Sequence, residues 1–468
     1  MYKEGLKPQN IFAFICLLFG LFFVFFAPPF TGADECCHFW KIYLVSEGKA
    51  GNQKLTSDTV NGIRRDKVYV QTGAYMPAGM YKAGYKNIRT RWRDFEKTNL
   101  EETKEILSYP LEKEHLVFNS FPVPSYTVFS YLPQAVLMKI MTAANINPGW
   151  IMYVLRLVSL ITYTALVYAA IRITPVKKWM FFALGLLPTA LYQSAGINTD
   201  GLTIGLGFLF FALTLYLAFS NEVKTISTKQ LLLYCAVGLY FILCKFAYAP
   251  LLLIYFLIPF EKFGSRKRQI LTFLYIAMCA FALTLILFVL NSIACAGTDE
   301  TYMRNAAIGL LLYKPVIFVK AMVFTILVKF KTAFEGFVGS FGWGEVRVPF
   351  YCAVLYCVSV LNFSLFNFEG DRCCAEFNLK QKTGFIAVFL AFTLLLFLVL
   401  YAAFQISDGG IIPGFFGRYF IPASPLIFLI FDNKKFFAKN NLLLYFNLFL
   451  INFVLFVSVV KVVYRFYV

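Results

Sequence analysis

The sequence predicts an all-α polytopic membrane protein with about 11 transmembrane helices in one domain, residues 1–468. Three observations support this fold class. Hydrophobic residues make up 59% of the chain and charged residues only 15%, apolar runs of about 15 to 23 residues recur, and Lys and Arg fall between those runs. The formal net charge of +18 therefore marks loops beside a membrane, and we expect no nucleic-acid partner.

The first apolar run, from Ile11 to Ala27, predicts a span whose N-terminus is cytoplasmic. A cleaved signal peptide is the alternative, but Phe25-Phe26-Ala27 before Pro28 is a poor cleavage site. Residues 28–148 are then expected to form a long first external loop with interfacial helices. Within it, residues 125–144 are apolar but are expected to lie in the outer interface or re-enter, because a crossing would place Lys177 and Lys178 outside.

The remaining spans alternate so that loops rich in Lys and Arg face the cytoplasm. They are predicted at 149–173, 179–196, 202–220, two short helices within 230–261, 270–292, 350–367, 384–405, 417–431 and 441–460. Residues 293–349 are expected to form a second external region with an interfacial amphipathic stretch, Tyr313 to Lys331. Each helix of 230–261 reaches only about 24 Å, short of a core of about 30 Å, so Lys245 at their tip is expected on the floor of a cavity.

A compact polar stretch follows the first span. Asp34, Glu35 and His38 would share one face of a helix, because residues three and four apart are neighbours. Two carboxylates beside an imidazole at a membrane boundary make a candidate acid/base site. Alternatively, Asp34 caps this helix, with Glu35 favoured at its positive end, and His38 is structural.

The same topology collects other polar residues on the outer side: Arg156, Asp200, Lys245, Glu345 and Arg418. Carboxylates suit a general base or a metal clamp, whereas Lys and Arg suit a phosphate. Each residue also has a structural interpretation. Asp200 could cap a helix, Lys245 could extend to the interface, both arginines could bind lipid head groups, and Glu345 could be a solvated loop acid.

Several motifs occur in a characteristic order. They are Pro28-Pro29 before Asp34-Glu35 and His38, Pro188 and Tyr192-Gln193 before Asn198-Thr199-Asp200, the Lys245 hairpin, Gly342-Trp343-Gly344-Glu345, and Gly417-Arg418-Tyr419-Phe420 before Pro422. From about residue 10 to 460 the chain resembles a bacterial integral-membrane family, domain of unknown function 2142, which is grouped with the GT-C glycosyltransferases. The resemblance implies a GT-C-like fold in the bacterial inner membrane, with a periplasmic active site.

In GT-C enzymes an acid of the first external loop acts at the sugar-transfer site, which carries over onto Asp34 or Glu35, and a second acid matches Asp200. Donors in that superfamily are polyprenyl-phosphate or polyprenyl-diphosphate sugars. The resemblance thus implies transfer of a sugar from such a donor to a surface glycan or lipid acceptor, by analogy of fold.

We assign the expected site residues to three groups. The catalytic group is Asp34, Glu35 and His38; the donor and phosphate group is Arg156, Asp200, Lys245, Arg418 and Tyr419; the secondary group is Asn198, Trp343 and Glu345. A divalent metal stays open as a cofactor, on Asp34 and Asp200 if at all, and so does pairing of Cys36 or Cys37 with Cys295. The alternatives are a transporter or flippase for a lipid-linked sugar and a non-catalytic assembly partner.

Overall fold

A computed structural model describes most of the chain. The described residues are 7–49, 53–60, 63–87, 96–120, 127–295, 309, 311, 313–368, 377–404, 410–433, 435–438 and 441–468, with the side chains of 53–72 and 291–295 excepted. The Cys295 side chain and residues 296–308 of the second external region lie outside this set, so the predictions made for them stay predictions.

The described chain is mostly helical. Its α-helices are α1 Pro8–Phe26, α2 Glu35–Ser46, α3 Ala78–Lys86, α4 Leu100–Ser108, α5 Leu132–Ala143, α6 Pro148–Ile173, α7 Lys178–Gly185, α8 Pro188–Ser194, α9 Asp200–Phe219, α10 Thr228–Cys244, α11 Arg266–Cys295, α12 Pro315–Val338, α13 Phe350–Leu365, α14 Leu379–Phe404, α15 Ser424–Leu429 and α16 Leu442–Tyr467. Short 3-10 helices cover Val128–Tyr131, Phe260–Phe263 and Gly417–Phe420, and a longer one covers Phe246–Leu257. Prolines begin several helices, where the missing N–H has no helical partner.

Six helices are long and apolar enough to cross a membrane: Pro8–Phe26, Pro148–Ile173, Asp200–Phe219, Arg266–Leu290, Leu379–Phe404 and Leu442–Tyr467. Three shorter apolar helices, Thr228–Cys244, Phe246–Leu257 and Phe350–Leu365, coincide with further predicted spans. The two other predicted spans are broken, 179–196 into α7 and α8 and 417–431 into a 3-10 turn and α15. A polytopic helical membrane protein is therefore confirmed, and the count of eleven stays a prediction.

The first loop contains strands that the all-α prediction did not include. Three of these strands form an antiparallel sheet in the order β1-β2-β3. They are β1 Gln53–Val60, β2 Ile63–Pro77 and β3 Leu116–Ser120. In β2 the β-branched residues Val68, Val70 and Thr72 alternate with other residues, a period of two that favours a strand. A second antiparallel pair joins β4 Ser340–Phe341 to β5 Val346–Arg347.

Helix α5 lies within the segment expected not to cross the bilayer. It has 12 residues, which extend about 18 Å and so fall short of a hydrocarbon core of about 30 Å. It packs on α2 and α6, and the preceding 3-10 turn Val128–Tyr131 packs on α10. The first loop therefore folds back onto the helical body.

Five helix ends meet at one end of this body. Helices α1 and α6 run antiparallel, since Arg156 near the start of α6 contacts Ala27 just after α1, whereas Tyr168 further along α6 contacts Asn10. The starts of α2 and α9 and the C-terminal end of α10 join the same end through hydrogen bonds described below. The candidate polar residues are carried by these helix ends and the turns beside them.

Candidate functional site

A buried ion pair joins Glu35, the first residue of α2, to Arg156 of α6. Arg156 donates from Nε to Glu35 Oε1 over 2.7 Å and from Nη2 to Oε2 over 2.6 Å. Its other donors reach the carbonyl oxygens of Val24, Ala27 and Pro28, at 2.7 to 2.9 Å. All five N–H donors of the guanidinium are thus occupied by protein oxygens, an arrangement that favours a structural role for Arg156 over phosphate binding.

The Glu35 carboxylate is equally occupied. Besides Arg156, Oε1 accepts from the backbone N–H of Ile197 over 3.1 Å and Oε2 from that of Gly32 over 3.3 Å. Both charged side chains are buried, and a buried pair of this kind is stable only when its remaining donors and acceptors are satisfied. The pair fixes the turn after α1 to the loop before α9, and it makes Glu35 a poor general base.

Asp34 lies directly before this pair and is half-buried. Its backbone is left-handed, with φ 54° and ψ 14°, and its side chain makes no capping hydrogen bond to α2. Asp34 thus occupies the N-cap position, as one interpretation of the sequence predicted, but without the side-chain hydrogen bond that usually accompanies it. Asp and Asn tolerate the left-handed region better than most residues, and a strained backbone of this kind often accompanies a functional site. Of the two adjacent acids, Asp34 is the better candidate base.

Asn198 organises the start of α9. Its side-chain oxygen accepts from the backbone N–H of Asp200 over 2.9 Å and of Gly201 over 3.3 Å, and its amide donates to the carbonyl oxygen of Gln193. The N-cap position of α9 is Thr199 and Asp200 is the first helical residue, so the interpretation of Asp200 as the cap is wrong. The Asp200 side chain is available for other contacts.

Asp200 is bound by two cations. Lys245 Nζ lies 3.2 Å from Oδ1 and Arg418 Nε lies 3.0 Å from Oδ2, and the three side chains are 13% to 17% exposed. The Tyr419 ring lies under Lys245, 4.1 Å from the ammonium nitrogen to the ring centroid. Two positive charges share one carboxylate, so this cation cluster of Asp200, Lys245 and Arg418 carries one excess positive charge. A phosphate group would match that charge.

Gly417 positions Arg418. A Cβ at Gly417 would collide with the carbonyl oxygen of Ala333 and the backbone nitrogen of Phe337, both on α12. The 3-10 turn Gly417–Phe420 therefore lies directly against the α12 backbone, a close approach that only glycine permits. The motif Gly417-Arg418-Tyr419 thus places a cation and an aromatic ring from one turn.

Lys245 follows α10, and the first loop holds that helix end. Thr127 and Ser130 donate side-chain hydrogen bonds to the carbonyl oxygens of Leu243 and Cys244, over 2.6 Å and 3.1 Å. Tyr131, the next residue, contacts His38 of α2, with 2.7 Å between its hydroxyl oxygen and Nδ1. These contacts connect α2, the 3-10 turn and the Lys245 hairpin around the site.

His38 is buried and lies within electrostatic range of Asp200, Arg418, Glu35 and Lys245. Burial lowers the pKa of His38 from 6.5 to about 4, and the opposing effect of the Asp200 carboxylate is smaller. The imidazole is therefore neutral at pH 7, with one ring nitrogen that can donate a hydrogen bond and one that can accept one. Its placement agrees with both a structural and a proton-handling role.

The turn Gly342–Glu345 joins β4 to β5 and is the remaining predicted motif. Glu345 Oε2 accepts from the Trp343 backbone N–H over 2.6 Å, and Arg465 Nε of α16 lies 3.7 Å from Oε1. Burial raises the pKa of Glu345. The interpretation of Glu345 as a solvated loop acid is wrong, since its side chain is only 10% exposed.

Sequence reasoning missed Tyr131 and Arg465. A buried arginine near the end of an apolar span is itself a signal of a functional or structural contact, so Arg465 could have been found. Tyr131 is one of 28 tyrosines, and nothing in its local sequence pairs it with His38. Only the folding of the first loop brings it there.

The residues present do not favour a metal. Among the described residues, no group of three or more His, Cys, Asp or Glu side chains is arranged to hold a metal ion. The Asp200 carboxylate faces Lys245 and Arg418, which would repel a divalent cation. We therefore derive no step through a metal.

Together, the fold and this polar cluster define a polytopic α-helical membrane protein with a partly buried charged site at one end of its helices. A family model described as predicted membrane protein (DUF2142) matches residues 17–427. The chain belongs to this family, so the membrane family named from the motifs is confirmed. Comparisons with curated proteins and with solved structures gave no significant match.

Proposed function

We propose that the protein is a membrane glycosyltransferase. It transfers a sugar from a polyprenyl-phosphate-linked donor to a surface glycan or lipid, at the periplasmic face of the bacterial inner membrane. The cluster of Asp200, Lys245 and Arg418 carries this proposal, because it combines excess positive charge with partial burial at one end of the membrane helices. The polyprenyl chain of such a donor lies in the same bilayer that the helices cross.

The reaction breaks the bond between the anomeric carbon and the phosphate oxygen, and the acceptor hydroxyl oxygen forms a new bond to that carbon. The leaving polyprenyl phosphate takes the bonding electrons and gains one negative charge. Lys245 and Arg418 therefore attract the departing phosphate more strongly than the donor, and only such differential binding accelerates the step. Asp200 holds both cations in place, and Tyr419 packs under Lys245.

The acceptor hydroxyl must lose its proton. Asp34 is the proposed base, because it is a half-buried carboxylate whose left-handed backbone leads the chain into α2. Glu35 is not assigned this role, since both of its oxygens bind Arg156 and backbone N–H groups. Asn198 fixes the start of α9 and so the position of Asp200. Arg156 is left out of the phosphate site, since its donors are already used within the protein.

The test uses a host strain that lacks the gene and is complemented with the full chain. Asp34→Asn should lower transfer about 10²- to 10⁴-fold, as expected for a lost general base. Arg418→Ala and Lys245→Ala should each lower it about 10²- to 10³-fold. Transfer is measured on surface glycans by mass spectrometry, and on purified protein in lipid nanodiscs with polyprenyl-linked sugars extracted from the host.

Two variants are controls. Glu112→Gln removes a carboxylate that pairs with Lys82 on the loop surface, and Arg268→Ala removes an arginine beside the start of α11. Both should transfer as the unaltered protein does. Unchanged transfer in Asp34→Asn and Arg418→Ala would refute the assigned roles, and movement of intact lipid-linked sugar without transfer would favour a flippase.

A further inference from the structure

The turn Gly342–Glu345 has no part in the reaction proposed above, but its backbone conformation depends on two glycines. Gly342 and Gly344 have φ angles of 62° and 96°, in the region that favours glycine. A Cβ at Gly342 would collide with the Glu345 carboxylate. The two glycines thus let the chain fold around a carboxylate that accepts from the Trp343 backbone.

Two oxygen atoms at this turn lack hydrogen-bond partners among the described residues. Glu345 Oε1 accepts no hydrogen bond, because Arg465 Nε, 3.7 Å away, is an ion-pair partner beyond hydrogen-bond distance, and the side chain is only 10% exposed. The Tyr192 hydroxyl lies near the Gly342 backbone but makes no hydrogen bond of ordinary geometry, and Tyr192 is 6% exposed. Leaving a buried polar atom unpaired costs about 1–3 kcal/mol, so such atoms in a native fold indicate a missing partner.

The turn borders both polar clusters. A Cβ at Gly344 would lie 3.6 Å from the Phe416 ring, and the Arg418 guanidinium lies 4.8 Å from the centroid of that ring. On the other side, Tyr192 lines a small cavity together with Glu35 and Arg156. The turn is therefore separated from Arg418 of the proposed phosphate site by the Phe416 ring, and Tyr192 lies beside the ion pair of Glu35 and Arg156.

We propose that Glu345 and Tyr192, with Trp343 beside them, bind hydroxyl groups of a carbohydrate. A carboxylate oxygen accepts from a sugar hydroxyl, and a phenol can both donate to and accept from one. The partly exposed Trp343 supplies an apolar ring for the C–H face of a sugar. The inference rests on the proposed function for its place in the reaction, but carbohydrate binding can be measured without transfer.

The experiment uses the full-length protein in lipid nanodiscs and follows tryptophan fluorescence. The probes are glucose, galactose, mannose, rhamnose and N-acetylglucosamine, together with oligosaccharides released from host surface glycans by mild acid. At least one probe should change the fluorescence saturably, and Trp343→Phe should abolish the change. Tyr192→Phe and Glu345→Gln should weaken binding about threefold to tenfold, as expected for one lost hydrogen bond.

Tyr192→Phe keeps the ring that packs against Phe23 and Phe341, so its folding should be intact, and Glu112→Gln is the matched control for the carboxylate. The inference would be overturned if no probe gave a saturable signal, or if the unaltered protein and both variants bound with equal affinity. Water would then be the partner of these oxygens. Carbohydrate binding without transfer from any lipid-linked donor would refute the proposed function alone and leave this inference standing.

Discussion

At the scale of the residue, the ion pair of Glu35 and Arg156 makes the sharpest prediction. Replacing Glu35 by Gln leaves a buried guanidinium without its counter-charge, which should destabilise the protein by about 3–5 kcal/mol. The free energy of unfolding is measured by denaturant titration in mixed micelles. Lys139→Ala breaks a more exposed pair with Glu47 and should change it by less than about 1 kcal/mol.

A different result would reverse the roles of the two acids. If Glu35→Gln unfolds like the unaltered protein but loses transfer, Glu35 acts on the substrate and the structural interpretation fails. Asp34→Asn in the same assays then shows whether one carboxylate or both are needed.

His38 predicts a dependence of stability on pH. Its pKa is lowered from 6.5 to about 4 in the folded protein, so between these values the unfolded chain binds more protons than the folded one. The contribution of His38 to the free energy of unfolding is fully present above pH 6.5. It decreases by up to about 3 kcal/mol as the pH falls toward 4. His38→Gln should flatten the pH dependence of the melting temperature over this window, and parallel curves for the two proteins would contradict the assignment.

At the scale of the element, the 3-10 turn Gly417–Phe420 depends on its contact with α12. Gly417→Ala places a methyl group into the α12 backbone, which should displace Arg418 and lower transfer as strongly as Arg418→Ala. Both transfer and the melting temperature are measured. Gly384→Ala is the control, because nothing lies within 4 Å of a Cβ at Gly384 and alanine in a helix should stabilise by up to about 1 kcal/mol.

An unaltered transfer rate in Gly417→Ala would show that the turn can shift without loss of activity, and that Arg418 is not held by this contact.

The broken helices α7 and α8 are a second feature at the scale of the element. Helix α8 is followed by the loop that carries Asn198. This loop brings backbone N–H groups to the site, which a continuous helix would have used in its own hydrogen bonds.

At the scale of the whole molecule, the first and last described residues, Lys7 and Val468, lie at opposite ends of the helical body. Helix α1 starts far from the site and ends beside it, whereas Arg465 near the end of α16 contacts Glu345, and Phe466 accepts a hydrogen bond from Thr98 of the first loop. The chain should therefore cross the membrane an odd number of times. This parity agrees with the predicted eleven spans.

Fusions to the C-terminus test this arrangement. With a cytoplasmic N-terminus, a C-terminal alkaline phosphatase should be active and a C-terminal green fluorescent protein dark, because the phosphatase folds only in the periplasm and the fluorescent protein only in the cytoplasm. A matched pair of fusions after Lys267, in the loop predicted to be cytoplasmic, should give the opposite pattern. The reverse result at the C-terminus would exclude an odd count and the proposed sidedness.

The membrane fold was readable from the sequence because burial in lipid leaves a local signal. Long apolar runs, basic loops and proline or glycine breaks are each set by residues adjacent in the chain, and the ordered motifs were enough to indicate the family. The same local patterns placed Asp34, Asp200, Lys245 and Arg418 at one end of the helices.

Only the tertiary structure decided which of these residues meet. Glu35 pairs with Arg156 across 121 positions and Lys245 with Asp200 across 45, and no periodicity encodes such a choice. The sequence therefore could not separate a structural acid, Glu35, from a candidate base, Asp34, or a helix cap, Asn198, from the carboxylate beside it. Those distinctions depend on which helix ends are packed together, because a charged group's role is set by the partners that surround it in space.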